Sequence, residues 1–236
     1  MVVKGFASPE AQSIYASARN LCEKVDGGLL VFNVFWSLWV FHSARAEHDQ
    51  AREAAEKCLR LAQAAQMPNL LLPAHHALGV SLECLSEFTE SLNHLEQGTA
   101  IYDQGQHEAQ AYIYGQDSGV GCLCQGAWAL WFLGYPDRAR NRINDGLALA
   151  HLVSHPVSTA AALNLASWVY QLLRDWQQAR EQSDAAVALS TERGFEFGLR
   201  WESSARVRRW SSRVSWNTVS SAYAQAWTPS SRLVPG

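Results

Sequence analysis

Lysine is almost missing from this chain: only Lys4, Lys24 and Lys57 occur in 236 residues. None of them stands in a G-x-x-x-x-G-K-[ST] loop, so the sequence has no cradle for nucleotide phosphates. Nor does it show the paired metal-binding aspartates of a nucleotide cyclase in a β-rich context. Charged residues of both signs make up 17% and the formal net charge is −3. That balance excludes the strongly basic face of a general nucleic-acid binder. Cysteine is sparse and odd in number (Cys22, Cys58, Cys84, Cys122, Cys124). Cys122 and Cys124 form a C-x-C pair with no second pair, which reads as buried free thiols in a reducing compartment rather than a zinc site. No long apolar run is present either. Leu29 to Phe41 is apolar except for Asn33 and Ser37, but at 13 residues it falls short of the roughly 20 that cross a bilayer. The opening Met1–Phe6 lacks the apolar core and cleavage site of a secretory signal. The expectations are therefore a cytoplasmic chain with no cofactor, metal, nucleic-acid or membrane partner.

What is abundant is apolar surface and regularity. Hydrophobic residues reach 48% and there are ten tryptophans, which excludes wholesale disorder. Helical periodicity dominates: AREAAEKCLRLAQAA from Ala51 is built of strong helix formers, with Ala51, Ala55, Cys58, Leu59 and Ala62 on one stripe. Related stretches begin at Ala11, Ser91, Ala139 and Ala179, so the starting small residues are spaced 40, 40, 48 and 40. Seven places after each comes another small residue: Ala18, Cys58, Gly98, Gly146, Ala186. Twelve places before the last four starts stand Trp39, Gly79, Ala127 and Ser167, each inside an apolar stretch. A short turn separates the halves, clearest at Leu133-Gly134-Tyr135-Pro136-Asp137, where Gly134 suits a positive φ and Pro136 a first helical turn. Leu85-Ser86-Glu87-Phe88 and Leu173-Arg174-Asp175-Trp176 hold the same place without glycine. Helix, tight turn and helix at a period of 40 or more predicts an all-α superhelix of helical hairpins. The expected units are a partial hairpin at 9–25 and hairpins at about 28–65, 70–103, 117–152 and 156–193, within a solenoid over 1–202.

The small-residue register resembles tetratricopeptide repeats, with small residues at the eighth, twentieth and twenty-seventh places. HEAT and armadillo repeats share the longer period but not this register. Several strings also resemble the C-terminal tetratricopeptide region of bacterial proteins that join a class III adenylate/guanylate cyclase to an AAA-type ATPase. They are Phe35-Trp36-Ser37-Leu38-Trp39, His75-His76-Ala77-Leu78-Gly79-Val80 and His94-Leu95-Glu96-Gln97-Gly98. Further on come Tyr114-Gly115-Gln116-Asp117, Ala129-Leu130-Trp131-Phe132-Leu133-Gly134-Tyr135-Pro136 and Leu189-Ser190-Thr191-Glu192-Arg193-Gly194-Phe195. The resemblance spans residues 11–197. It implies a non-catalytic signalling module that regulates cyclase and ATPase domains lying elsewhere, with those domains or a protein or peptide segment as partner. Two other readings stand beside it: a free-standing small-molecule or peptide sensor of a transcriptional regulator, and a nonfunctional gene fragment.

Carrying the groove places of tetratricopeptide repeats onto this register nominates Asn33, Trp36, His76, Glu83, Trp128, Trp131, Asn164, Trp168 and Gln171 as the partner-binding set. Tryptophans beside amides suit an extended peptide, while packing within lengthened helices is the competing explanation. The groove places carry no Lys/Arg cluster to clamp a carboxylate terminus. The eight extra residues around Gln104–Gln116 read either as a loop over the groove or as a neutral extension. His75 and His76 are adjacent on a helix and point about 100° apart, which disfavours joint chelation.

The charge is unevenly divided. Residues 1–202 hold a net −8, whereas 203–236 hold five Arg, nine Ser and no acid. This stretch reads as a basic tail, an unusual capping helix or a frameshift product. A shifted frame over Ser215-Trp216-Asn217 reads Leu-Glu when Ser215 has an AGY codon. Missing neighbours at the ends of the solenoid predict self-association through uncapped faces.

Overall fold

A computed structural model describes residues 28–107 and 109–194. The expected partial hairpin at 9–25 and the 203–236 tail lie outside the described residues. Eight long helices follow one another: α1 (Leu29–Ala44), α2 (His48–Ala64), α3 (Pro68–Cys84), α4 (Phe88–Ala100), α7 (Ser118–Phe132), α8 (Pro136–Val153), α9 (Pro156–Leu172) and α10 (Trp176–Arg193). Two short ones, α5 (Gln104–His107) and α6 (Gln110–Tyr114), lie between α4 and α7. No strand occurs among the described residues.

The long helices pair as four antiparallel hairpins, and each helix packs against its chain neighbours. The first helices of successive hairpins (α1, α3, α7, α9) also pack on one another, giving an inner layer and an outer layer. This is the layering of a helical solenoid, in which a unit buries its faces against adjacent units. The small-residue register explains how closely the helices approach. Ala51, Ser91, Ala139, Ala179, Cys58, Ala127 and Ala186 are each at most 5% exposed. A Cβ on Gly79 would meet the Leu95 side chain at 2.6 Å, and one on Gly146 would meet Cys124 Sγ at 2.6 Å. Bulk at these crossings would push the layers apart.

All four hairpins close in the same way. Ala46, Ser86, Gly134 and Arg174 each adopt a positive φ, between 56° and 86°. The amide after each reaches back five residues: Glu47 to His42, Glu87 to Leu82, Tyr135 to Leu130 and Asp175 to Tyr170, at 2.9–3.0 Å. This is the 6→1 closure that satisfies the last carbonyls of a helix. Only one of the four turns uses glycine, although the left-handed conformation costs other residues about 1 kcal/mol. The closure, repeated with three different side chains, is therefore imposed by packing of the two helices. Helix starts are conventional: Pro68, Pro136 and Pro156 occupy the first turns, and Asp117 accepts a hydrogen bond from the Val120 amide at 2.8 Å.

Candidate functional site

Charge is partitioned between the layers. α2, α4, α8 and α10 together carry eighteen Asp, Glu, Lys and Arg residues, whereas α1, α3, α7 and α9 carry one, Glu83. The outer helices are amphipathic, each with a stripe of small buried residues and a solvated polar face. Of the inner helices, α3 and α7 are flanked by other inner helices in both directions and are apolar on most sides. The inner helices therefore offer aromatic rings and amides, and their single carboxyl group, Glu83, is buried.

The extra residues between α4 and α7 fold back onto that surface. Pro73 lies inside α3 and has no N–H, so the Asn69 carbonyl four residues earlier loses its helical partner. Gln110 Nε2 donates to that carbonyl at 2.8 Å. The Tyr114 ring lies 4.8 Å from the Trp36 ring and 6.1 Å from Phe32, and the Tyr114 hydroxyl lies 3.5 Å from Asn33 Oδ1. The Gln116 amide approaches His76 Nε2 at 3.3 Å, and Tyr112 stands edge-on to His155 at 4.8 Å. The segment is a strap across the N-terminal halves of the inner helices. Of the two sequence readings, it contacts the groove places rather than extending away from them.

The nominated residues fall into separate neighbourhoods. Asn33 and Trp36 lie under Tyr114. His76 is 1% exposed, wedged between Trp39 and the Gly121 backbone, where a Cβ would meet its ring at 2.3 Å. Burial lowers its pKa to about 4, and its Nδ1 is a buried atom without a hydrogen-bond partner among the described residues. Trp128 and Trp168 meet across α7 and α9, with ring centroids 5.7 Å apart, and Trp128 also contacts Phe132. Phe132 stacks on Phe88 at 4.6 Å. Trp131 turns away from that pair, lying edge-on to Phe132 and packing against the Leu92, Ala129, Leu130 and Ala139 cluster. Asn164 and Gln171 bond within their own helix, to the Ala160 carbonyl and the Ser167 hydroxyl.

Glu83 is 5% exposed at the seam between α3 and α7. Its carboxyl faces the Gln125 side chain; with the amide nitrogen turned towards it, the two carboxyl oxygens lie 3.0 and 3.2 Å away. Burial pushes the Glu83 pKa well above the usual carboxylate range. Gln125 was not among the residues nominated from sequence. Its only signal there was its place one turn before Trp128.

Two arrangements mimic chemistry without supplying it. His155 Nδ1 lies 2.9 Å from Ser158 Oγ, near Asp117. Yet Ser158 is fully buried, its hydroxyl accepts from the Asp117 amide at 2.7 Å, and His155 caps the start of α9. The Asp117 backbone amide, Ser158 and His155 together join α7 to α9. His75 and His76 point apart, His75 pairing with His94 at 3.0 Å, and no group of three or more metal-ligating side chains gathers among the described residues. No helix among the described residues is long and apolar enough to cross a membrane.

No family model and no curated protein matches the sequence. Solved structures do match. A Rap protein complexed with competence and sporulation factor superposes with a TM-score of 0.66 at 12% identity, over 80% of this chain and 51% of that one. BtubC from P. vanneervenii gives 0.57 at 14% identity, over 79% and 74%. A Podosopora anserina kinesin light chain with nearly identical TPR-like repeats gives 0.54 at 16%, over 78% and 88%. The fold is that of tetratricopeptide-like repeats. The chain spans about half the length of the Rap protein it matches.

Proposed function

We propose that this chain is a non-catalytic interaction module that holds an extended segment of a protein or peptide partner across its inner helices. The observation that carries the reading is the Trp128–Trp168 contact between inner helices that carry almost no formal charge. Large rigid rings with a few amides nearby give contact area at low entropic cost, the usual makeup of an interface hot spot. The Rap protein of the same fold, captured with a bound factor, supports it. The strings resembling cyclase–ATPase fusion proteins support a finer reading, in which the module regulates such catalytic domains and meets them as partners. Self-association through the ends of the solenoid belongs to the same reading.

An array of peptides tiled from cyclase and ATPase domains of the resembled architecture tests it. The full chain should retain a subset of spots, and replacing Trp128 and Trp168 together by alanine should weaken them at least about tenfold, since a single hot-spot residue is worth about 2 kcal/mol or more. Equal retention by the double variant, with its helical content intact, would remove the groove assignment.

A further inference from the structure

We infer that the ground beneath the strap is a binding seat in its own right. It takes a helical turn of a partner protein that presents a tyrosine four residues after a side-chain amide, and the strap (Gln110 to Gln116) is the resident occupant that this turn displaces. The inference adds a site to the interaction module proposed above and does not depend on the Trp128–Trp168 pair.

The seat is built by residues outside the strap. Pro73 leaves the Asn69 carbonyl of α3 without a helical donor, so that carbonyl calls for an N–H from another segment. On α1, Phe32 and Trp36 supply two aromatic walls and Asn33 an amide. One face of α6 answers both features. The Gln110 amide donates to the Asn69 carbonyl at 2.8 Å. Tyr114, one turn later, sets its ring 4.8 Å from Trp36 and its hydroxyl 3.5 Å from Asn33 Oδ1. Ala111, next to Gln110, is fully buried, which calls for a small residue at that place.

Several features mark the strap as removable. The repeat spacing is 48 across it and 40 elsewhere, and α4 packs directly on α7, so the stack of hairpins closes without it. Its hold is incomplete. Gln116 approaches His76 only at 3.3 Å, and Gln110 brings a buried Oε1 that has no hydrogen-bond partner among the described residues. Its outward side leaves apolar surface in water, with Tyr112 and Ile113 exposed by 75% and 66%. A five-residue helix has little stability of its own, so α6 keeps its form only while seated. Gly115, at φ 83° with open space around it, gives the chain a hinge at the end of α6. Tethering holds the strap at high local concentration, so a partner turn meets a seat that is open in a small fraction of molecules.

The strap's own sequence is the probe: an acetylated, amidated and fluorescently labelled nonapeptide of residues 109–117, AQAYIYGQD. Gln110→Ala with Tyr114→Ala vacates the seat without shortening the chain. By anisotropy, that double variant should bind the peptide about ten- to a hundredfold more tightly than the unaltered chain, the factor expected when a seat is open in roughly 1–10% of molecules. The peptide carrying Tyr114→Ala should bind the double variant at least about tenfold more weakly, as for a hot-spot residue. Equal binding by the two chains, none included, or equal binding of the two peptides overturns the inference. Replacing Trp128 and Trp168 by alanine should leave this binding unchanged; a parallel loss would merge the two sites and overturn the separate seat. A second readout uses the unaltered chain with the Tyr114 ring alone fluorinated. Excess unlabelled peptide should move its fluorine resonance to the position it takes in the free peptide. A resonance that does not move overturns the inference, even where the double variant fails to fold.

Discussion

The inner and outer helices of this solenoid are built from nearly the same number of residues but from opposite materials. Eighteen of the nineteen Asp, Glu, Lys and Arg residues on the eight long helices lie on the outer four. There they make exposed pairs such as Arg180–Asp184 at 3.5 Å and Arg52–Glu56 at 3.0 Å, of the kind worth a few tenths of a kcal/mol. An outer helix has water on one side and can carry charge on that side freely. The inner helices α3 and α7 have an inner helix on each flank, so even their second faces meet carbon. Cohesion of the stack is therefore concentrated in the inner layer, while the outer layer supplies solubility.

The largest test of this contrast places a charge where the inner layer has none. Ala127 is fully buried at the crossing of α7 and α8. Ala127→Asp leaves an unpaired carboxylate there and should cost about 3–5 kcal/mol, enough to unfold most of the chain in a urea titration followed by circular dichroism. A loss below about 1 kcal/mol would mean that water reaches the crossing, and the two-layer description would fail.

How far the sequence foretold these layers follows from what each feature depends on. The crossings were legible because small residues, Gly79, Gly98 and Gly146 among them, recur seven places after and twelve places before the start of each outer-helix stretch. Turn geometry was legible at Gly134, and position alone extended it to Ser86 and Arg174. The strap was not. Its anchoring depends on Pro73 releasing the Asn69 carbonyl 41 residues before Gln110, and no periodicity marks such a pairing. In the candidate site, Trp128 and Trp168 share a register place, so their meeting follows from stacking of α7 on α9. The Glu83–Gln125 contact joins two different register places, and sequence spacing pointed only to Glu83. Trp131 shows the limit of register: edge-on contact with Phe132 turns it to a different cluster.

A second test uses the one charge the inner layer does carry. Burial raises the Glu83 pKa above its value in an unfolded chain, near 4.5. Between those two values the folded chain holds a proton that the unfolded chain has released. Stability from this group is thus fully present below about pH 4.5 and is lost as pH rises towards the folded pKa. One proton corresponds to about 1.4 kcal/mol per pH unit across that window. Glu83→Gln removes the dependence, so its stability relative to the unaltered chain should climb as pH is raised from 5 to 7. Chemical unfolding of both chains at half-unit steps measures it. Parallel curves would show that Glu83 ionises as freely as an outer-layer carboxylate, erasing the contrast at that point.

The smallest effect lies where the chain crosses from inner helix to outer helix. Ser86 and Arg174 hold φ of 65° and 60°, and Gly134 holds 86° in the same closure. A Cβ added to Gly134 would meet nothing within 4 Å, so the difference among these turns is backbone preference and not packing. Ser86→Gly and Arg174→Gly should each stabilise the chain, and Gly134→Ala should destabilise it, all by about 1 kcal/mol before the greater unfolded-state entropy of glycine offsets part of the gain. Midpoints of urea unfolding for the three variants decide the matter. Opposite signs for the two kinds of substitution would establish that packing holds the non-glycine turns left-handed against their own preference. Destabilisation by Ser86→Gly would instead assign the closure to the serine side chain, and the four turns would cease to be one structure repeated.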